Sequence, residues 1–115
     1  MKGQSFIQSL RCAFSGLADV FKSGRNAKIH TVIAGAVIVF GFSENLSADR
    51  WSILILTIGI VFAAEAANTA IEHVVDLVSP EHHELARRAK DAAAASVLCV
   101  AIAAVVVGVL TFRLI

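Results

Sequence analysis

An apolar run that begins at Trp51 continues without a breaker into Glu65-Ala-Ala-Asn68-Thr-Ala-Ile-Glu72-His-Val-Val-Asp76. In an α-helix, at roughly 100° per residue, Glu65, Asn68, Glu72 and Asp76 fall within about 80° of one another. Ala64, Ala67, Ile71, Val74 and Val75 lie mostly elsewhere around that helix. A carboxylate in a membrane-spanning segment is costly, about 2.5–3.5 kcal/mol for Asp at the helix centre, and persists where it faces protein or a wet cavity. Such groups usually act on ions, protons or phosphates, so this stripe is the active-site candidate.

The rest of the composition fits a membrane protein. Hydrophobic residues make up 57% of the 115, above ordinary soluble usage, and mean hydropathy is +0.77. The length corresponds to one domain. A net charge of +1 gives no argument for nucleic acid as a partner. Cys12 and Cys99 show no disulfide or zinc spacing. Residues 1–28 lack the compact apolar core and cleavage site of a signal peptide.

Phe6, Leu10, Phe14, Leu17 and Phe21 recur at helical spacing, with Gln8, Arg11, Ser15, Asp19 and Lys22 on the remainder. Residues 1–25 therefore read as an amphipathic helix in the membrane interface. Ser23-Gly24-Arg25-Asn26 breaks it. A first span is expected over 26–46, followed by a polar turn in which Ser47 caps the next helix. The second span, 51–78, would extend about 42 Å. That exceeds the roughly 30 Å hydrocarbon core, so its Asp76 end emerges into water. Gly59, Ala63, Ala66, Ala67 and Ala70 permit close helix packing. Ser79-Pro80 ends this span, and Pro80 suits a first helical position after a Ser79 cap. Residues 79–91 read as a charged loop in which Glu84 can pair with Arg87 and Arg88, and a third span covers 92–112.

Lys2, Arg11, Lys22, Arg25 and Lys28 precede the first span, and Arg87, Arg88 and Lys90 precede the third. The turn over 43–50 holds one cation and two anions. The positive-inside rule then puts the N-terminus and the 79–91 loop in the cytoplasm and the C-terminus outside, in a cytoplasmic (inner) membrane.

The cytoplasmic mouth gathers Glu65, Asn68, Glu72, Asp76, Lys90 and Asp91. Hard oxygens can hold Mg²⁺, which keeps waters and substrate phosphates in its shell. A lysine can neutralise phosphate oxygens, and a buried Glu can accept a hydroxyl proton. Phosphoryl transfer to an alcohol fits this inventory; a cation or proton pathway fits it equally. The chain has no Gly-x-x-x-x-Gly-Lys-Ser/Thr loop and no protein-kinase signature. His73, His82 and His83, with Glu81 and Glu84, match no metal-site spacing.

Glu65-x-x-Asn68-Thr-Ala-Ile-Glu72-x-Val-Val-Asp76, then His83-Glu84-Leu85, Ala89-Lys90-Asp91 and Ala95-Ser-Val97-Leu98, closely resembles the small prokaryotic lipid kinases, the diacylglycerol kinases and their undecaprenol kinase relatives. The resemblance covers almost the whole chain. It implies an all-α membrane protein, with an N-terminal surface helix and three transmembrane helices, assembled as a homotrimer with active sites between subunits. It also implies ATP and Mg²⁺ as cofactors and a membrane lipid alcohol as substrate. Matched residue by residue, Glu65 is the general base on the lipid hydroxyl and Glu72 a Mg²⁺ ligand. Asn68 orients base and phosphates, and Lys90 contacts phosphates. Glu81, His82 and His83 fall at the nucleoside, and Asp91 supports the phosphate region.

One departure stands out. The family pattern Glu-Arg-Asn-x-x-Ile-His, with a second metal-binding Glu, is here Gly24-Arg25-Asn26-Ala27-Lys28-Ile29-His30. Either another carboxylate compensates, Asp19 being the distant option, or metal affinity and rate fall. A catalytically impaired, lipid-binding or assembly protein is the alternative. The Arg25-Asn26-x-x-Ile29-His30 remainder leans toward the undecaprenol kinase branch.

Overall fold

The computed structural model describes residues 3 and 5–114, with Arg25 described in its backbone only. Lys2 and the Arg25 side chain, counted above among the N-terminal cations, lie outside the described residues. Four helices and no strands occur among the described residues: α1 Phe6–Ser23, α2 Arg25–Ser43, α3 Ala48–Val78 and α4 Glu84–Thr111. The latter three are each long and apolar enough to cross a membrane. The protein is an all-α membrane protein with an amphipathic N-terminal helix.

Helix α1 opens with a capping box. The Ser5 hydroxyl accepts from the Gln8 amide at 3.2 Å, and the Gln8 side chain accepts from the Ser5 amide at 2.9 Å. Its Phe6, Phe14, Leu10 and Leu17 are exposed, whereas Val20 is buried and Phe21 meets Phe62 of α3 at 5.9 Å between ring centroids. The far end of α1 is thus fastened to the bundle, and its apolar stripe faces outward.

A single residue joins α1 to α2. Gly24 is extended (φ −82°, ψ 115°), and its amide closes α1 on the Val20 carbonyl at 2.7 Å. A Cβ at this corner would sit 2.6 Å from the Val20 carbonyl oxygen, so the tight join depends on glycine. The next turn brings α2 into α3 at Phe42 and Trp51, whose rings stand 5.0 Å apart. Trp51 lies over Gly41, where a Cβ would approach its ring to 2.7 Å.

Helix α3 is the spine. Ser47 caps it by accepting from the Arg50 amide at 3.3 Å, as its position predicts. Its 31 residues span about 46 Å, nearly the 49 Å long axis of the molecule. The most extensive packing is between α3 and α4, where Leu54, Val61, Ala93 and Val97 are buried.

The expected boundaries shift in three places. Helix α2 ends at Ser43 rather than 46, because the chain must reverse before Ser47, with Asn45 in the left-handed region at φ 53°. The second span begins at Ala48, three residues early, because the Ser47 cap starts it. The charged segment 79–91 is a loop only as far as His83. Pro80 is not helical; His83 is the cap, its Nδ1 accepting from the Leu85 amide at 3.0 Å, and Glu84 opens α4 in a turn that favours an acid.

Candidate active site

Helix period places Glu65, Asn68 and Glu72 on one side of α3, and packing sorts them by depth. Glu65 is 2% exposed, Asn68 and Glu72 are half-buried, and Asp76 is exposed. What approaches Glu65 is His30 of α2, itself only 18% exposed. One turn before His30, Ala27 is fully buried and without bulk, which is how α2 can lie close at this level.

Imidazole Nδ1 of His30 stands 2.8 Å from carboxylate Oε1 of Glu65. The two are out of line for a hydrogen bond, so both are buried without an aligned partner. The Asn68 amide nitrogen donates to Glu72 Oε1 at 3.0 Å, which leaves Asn68 Oδ1 buried and unpartnered as well. Leaving such a group unsatisfied costs about 1–3 kcal/mol. Three in one place, two on α3 and one on α2, are the mark of a site with room for a polar visitor. An apolar cleft of about 650 Å³ between α2, α3 and α4 has His30 in its wall, with Val37, Leu54, Val61 and Phe112 further along.

Beyond this pocket the charged residues pair near the surface. Lys90 Nζ reaches Asp76 Oδ1 at 2.5 Å, tying α4 to the end of α3. Asp91 accepts from Arg87 at 2.7 Å, and Arg87 also pairs with Glu84, all along one exposed face of α4. His83 is spent on its cap, while Glu81 and His82 stand exposed in the linker. The structure therefore gathers Glu65, Asn68 and Glu72 with Asp76 and Lys90. It gives Asp91 a partner on its own helix and leaves Glu81 and His82 at the surface.

A sequence model of the family described as "Prokaryotic diacylglycerol kinase" matches residues 11–112. The chain belongs to the prokaryotic diacylglycerol kinase family. Membership makes it a membrane lipid kinase. It is 42% identical over 107 residues to an undecaprenol kinase of Bacillus subtilis, covering 93% of this chain and 87% of that one. A diacylglycerol kinase of Synechocystis is 45% identical over 105 residues, covering 90% of this chain and 60% of that longer protein. One from Haemophilus influenzae is 33% identical over 97 residues, with 82% of each chain covered.

In this kinase a Mg²⁺ site must be judged from the donors present. Among the described residues no three of His, Cys, Asp and Glu form a metal-holding group. The available set is the Glu72 carboxylate beside the unpartnered amide oxygen of Asn68. That is a hard-oxygen set of the size Mg²⁺ uses when waters and substrate phosphates complete its shell, so the residues fit a metal that arrives with a nucleotide. Asp19, the distant option for a carboxylate in place of the one missing at Gly24, is engaged by other side chains. It pairs with His73 of α3 at 2.6 Å and accepts from Ser23 at 3.2 Å. The His73 contact, with Ser23 second, holds its carboxyl below the usual value of 3.8. His30 and the Asp19–His73 pair escaped the sequence reading. The signal for His30 was a histidine inside a span, which needs a partner.

Proposed function

We propose that the kinase transfers the γ-phosphate of ATP to the hydroxyl of a membrane lipid alcohol, undecaprenol or diacylglycerol. The observation that carries this reading is the buried, unsatisfied carboxylate of Glu65 on the same helix face as the Asn68–Glu72 pair. Glu72 follows Glu65 by seven positions, a rise of about 10.5 Å. A hydroxyl and a γ-phosphoryl group in line fit between them.

Glu65 accepts the hydroxyl proton as the lipid oxygen bonds to the γ-phosphorus and the bond to the β-phosphate bridge breaks, releasing ADP. Asn68 orients Glu72 through its amide and offers its free oxygen to the reacting groups. Glu72 would hold Mg²⁺, which when bound neutralises phosphate charge. Lys90 reaches the phosphates by exchanging Asp76 for them. Glu81, His82 and His83 would meet the nucleoside, and Asp91 would support the phosphate region. The wet end of α3 faces the cytoplasm of the inner membrane, with the N-terminus inside and the C-terminus outside. Subunits associate as a homotrimer through the exposed apolar helix faces, each site being completed by a neighbour.

Transfer from labelled ATP in mixed micelles tests this, with Mg²⁺ and either lipid. Native protein should give product that Glu65→Gln does not, and the better lipid names the substrate. Gly24 favours a second reading, a catalytically impaired member that binds lipid or supports assembly. Lipid binding and intact trimers without any transfer by native protein would select it.

A further inference from the structure

We propose that His30 is a positioning residue for Glu65, holding one carboxylate oxygen so that the other faces the lipid hydroxyl. The inference rests on Glu65 being the base of the proposed transfer. Its observation is separate: a ring on α2 brings Nδ1 to 2.8 Å from Glu65 Oε1, at a depth where both atoms lack any other partner. A free glutamate side chain has several rotamers, and a base acts only where its oxygen meets the proton it takes. Neither helix alone can fix that oxygen. The α2 ring can, because Ala27 lets its helix lie close. A small rotation of the ring brings its Nδ1–H into line with Oε1, satisfying both groups together. His30 also lines the apolar cleft, so the residue that holds the carboxylate borders a surface suited to a lipid chain. The role needs the neutral ring with its proton on Nδ1, donating to the carboxylate, and no proton changes hands.

The test uses the full-length protein in Mg²⁺-ATP mixed micelles, comparing His30→Leu with His30→Asn, whose amide nitrogen takes nearly the place of Nδ1. His30→Leu should lower kcat about 10- to 100-fold with the KM for Mg-ATP unchanged, while His30→Asn stays within about threefold of native. Full kcat in His30→Leu, or an equal fall in both variants, overturns the proposal. Nitrogen-15 NMR of histidine-labelled protein supplies a readout that does not need activity or a folded leucine variant. His30 should carry its proton on Nδ1, with a resonance that moves in Glu65→Gln; a proton on Nε2 alone, or an unmoved signal, overturns it. Undiminished transfer by Glu65→Gln removes the base reading and this inference together. Loss in Glu65→Gln without loss in His30→Leu removes this inference alone.

Discussion

The start and the middle of α3 carry polar residues of opposite character. At its start, Ser47 caps the helix and the Arg50 guanidinium donates to the Thr111 carbonyl at the last turn of α4. A cation set on a helix C-terminus is favoured by the backbone dipole as well as by the bond. Further along, Glu65, Asn68 and their neighbour His30 keep buried atoms without aligned partners. Satisfied groups fasten helices; the unpartnered oxygen of Asn68, beside a Glu65 carboxylate that only His30 approaches, marks where a substrate would complete the bonding. Depth alone does not separate the two regions, since Arg50 and Asn68 are both half-buried. Completion of hydrogen bonds does.

Substitutions in each region can break this contrast. The largest effect is expected of Glu65→Gln, which keeps shape but removes the proton acceptor: kcat should fall about 10²- to 10⁴-fold with the protein still folded. A variant with near-native kcat would make the buried carboxylate structural. Next comes Asn68→Ala, which frees Glu72. A titration of rate against Mg²⁺ should show affinity weakened about 10- to 100-fold, as for other supports of a metal ligand. An unchanged titration would detach the amide from the metal site.

Gly24→Glu sharpens the comparison from the other side. Adding the family's carboxylate looks like a repair of the metal site. In the folded chain the new Cβ meets the Val20 carbonyl oxygen at 2.6 Å and Ala27 Cβ at 3.3 Å. The corner must open, at a cost of about 1–3 kcal/mol typical of overpacking. Thermal unfolding in detergent should show the loss, and Gly24→Ala should share it because the clash is with Cβ. A glutamate variant as stable as native, with faster transfer, would mean the corner yields readily and the site lacked only the charge. At the structural end, Arg50→Met should cost about 1–2 kcal/mol through the lost charged hydrogen bond, and leave transfer unchanged.

These contrasts also separate what the sequence discloses from what it hides. The face of Glu65, Asn68, Glu72 and Asp76 follows from helical period, and the Ser47 cap from residue type and place. The early start of α4 was hidden because dense charge over 84–91 reads as loop. In the folded chain Arg87 bonds both Glu84 and Asp91, spacings that support a helix. His30 was hidden for another reason: its meeting with Glu65 is a tertiary contact between spans, which no periodicity within either can report. Gly24 is legible as an absent side chain, but its steric necessity depends on the geometry of the α1–α2 corner.

The smallest expected effect concerns the hold on α1, where the polar contact is satisfied yet lies in water. Asp19 bonds His73 at 2.6 Å, and both side chains are about half exposed, so solvent screens the pair. The folded carboxyl titrates below its unfolded value of 3.8. Its contribution is therefore fully present above that value and is lost as pH falls through the lower, folded one. Hydrogen exchange of α1 amides, followed from about pH 6 to about pH 3, should show less protection in Asp19→Asn at the upper end. The gap between native and variant should narrow toward the acid end. No gap at any pH would place the hold on α1 in the Phe21–Phe62 contact and the buried Val20 instead. The satisfied surface pair would then contribute even less than the satisfied Arg50 bond, because burial, and not pairing alone, sets what a polar contact is worth.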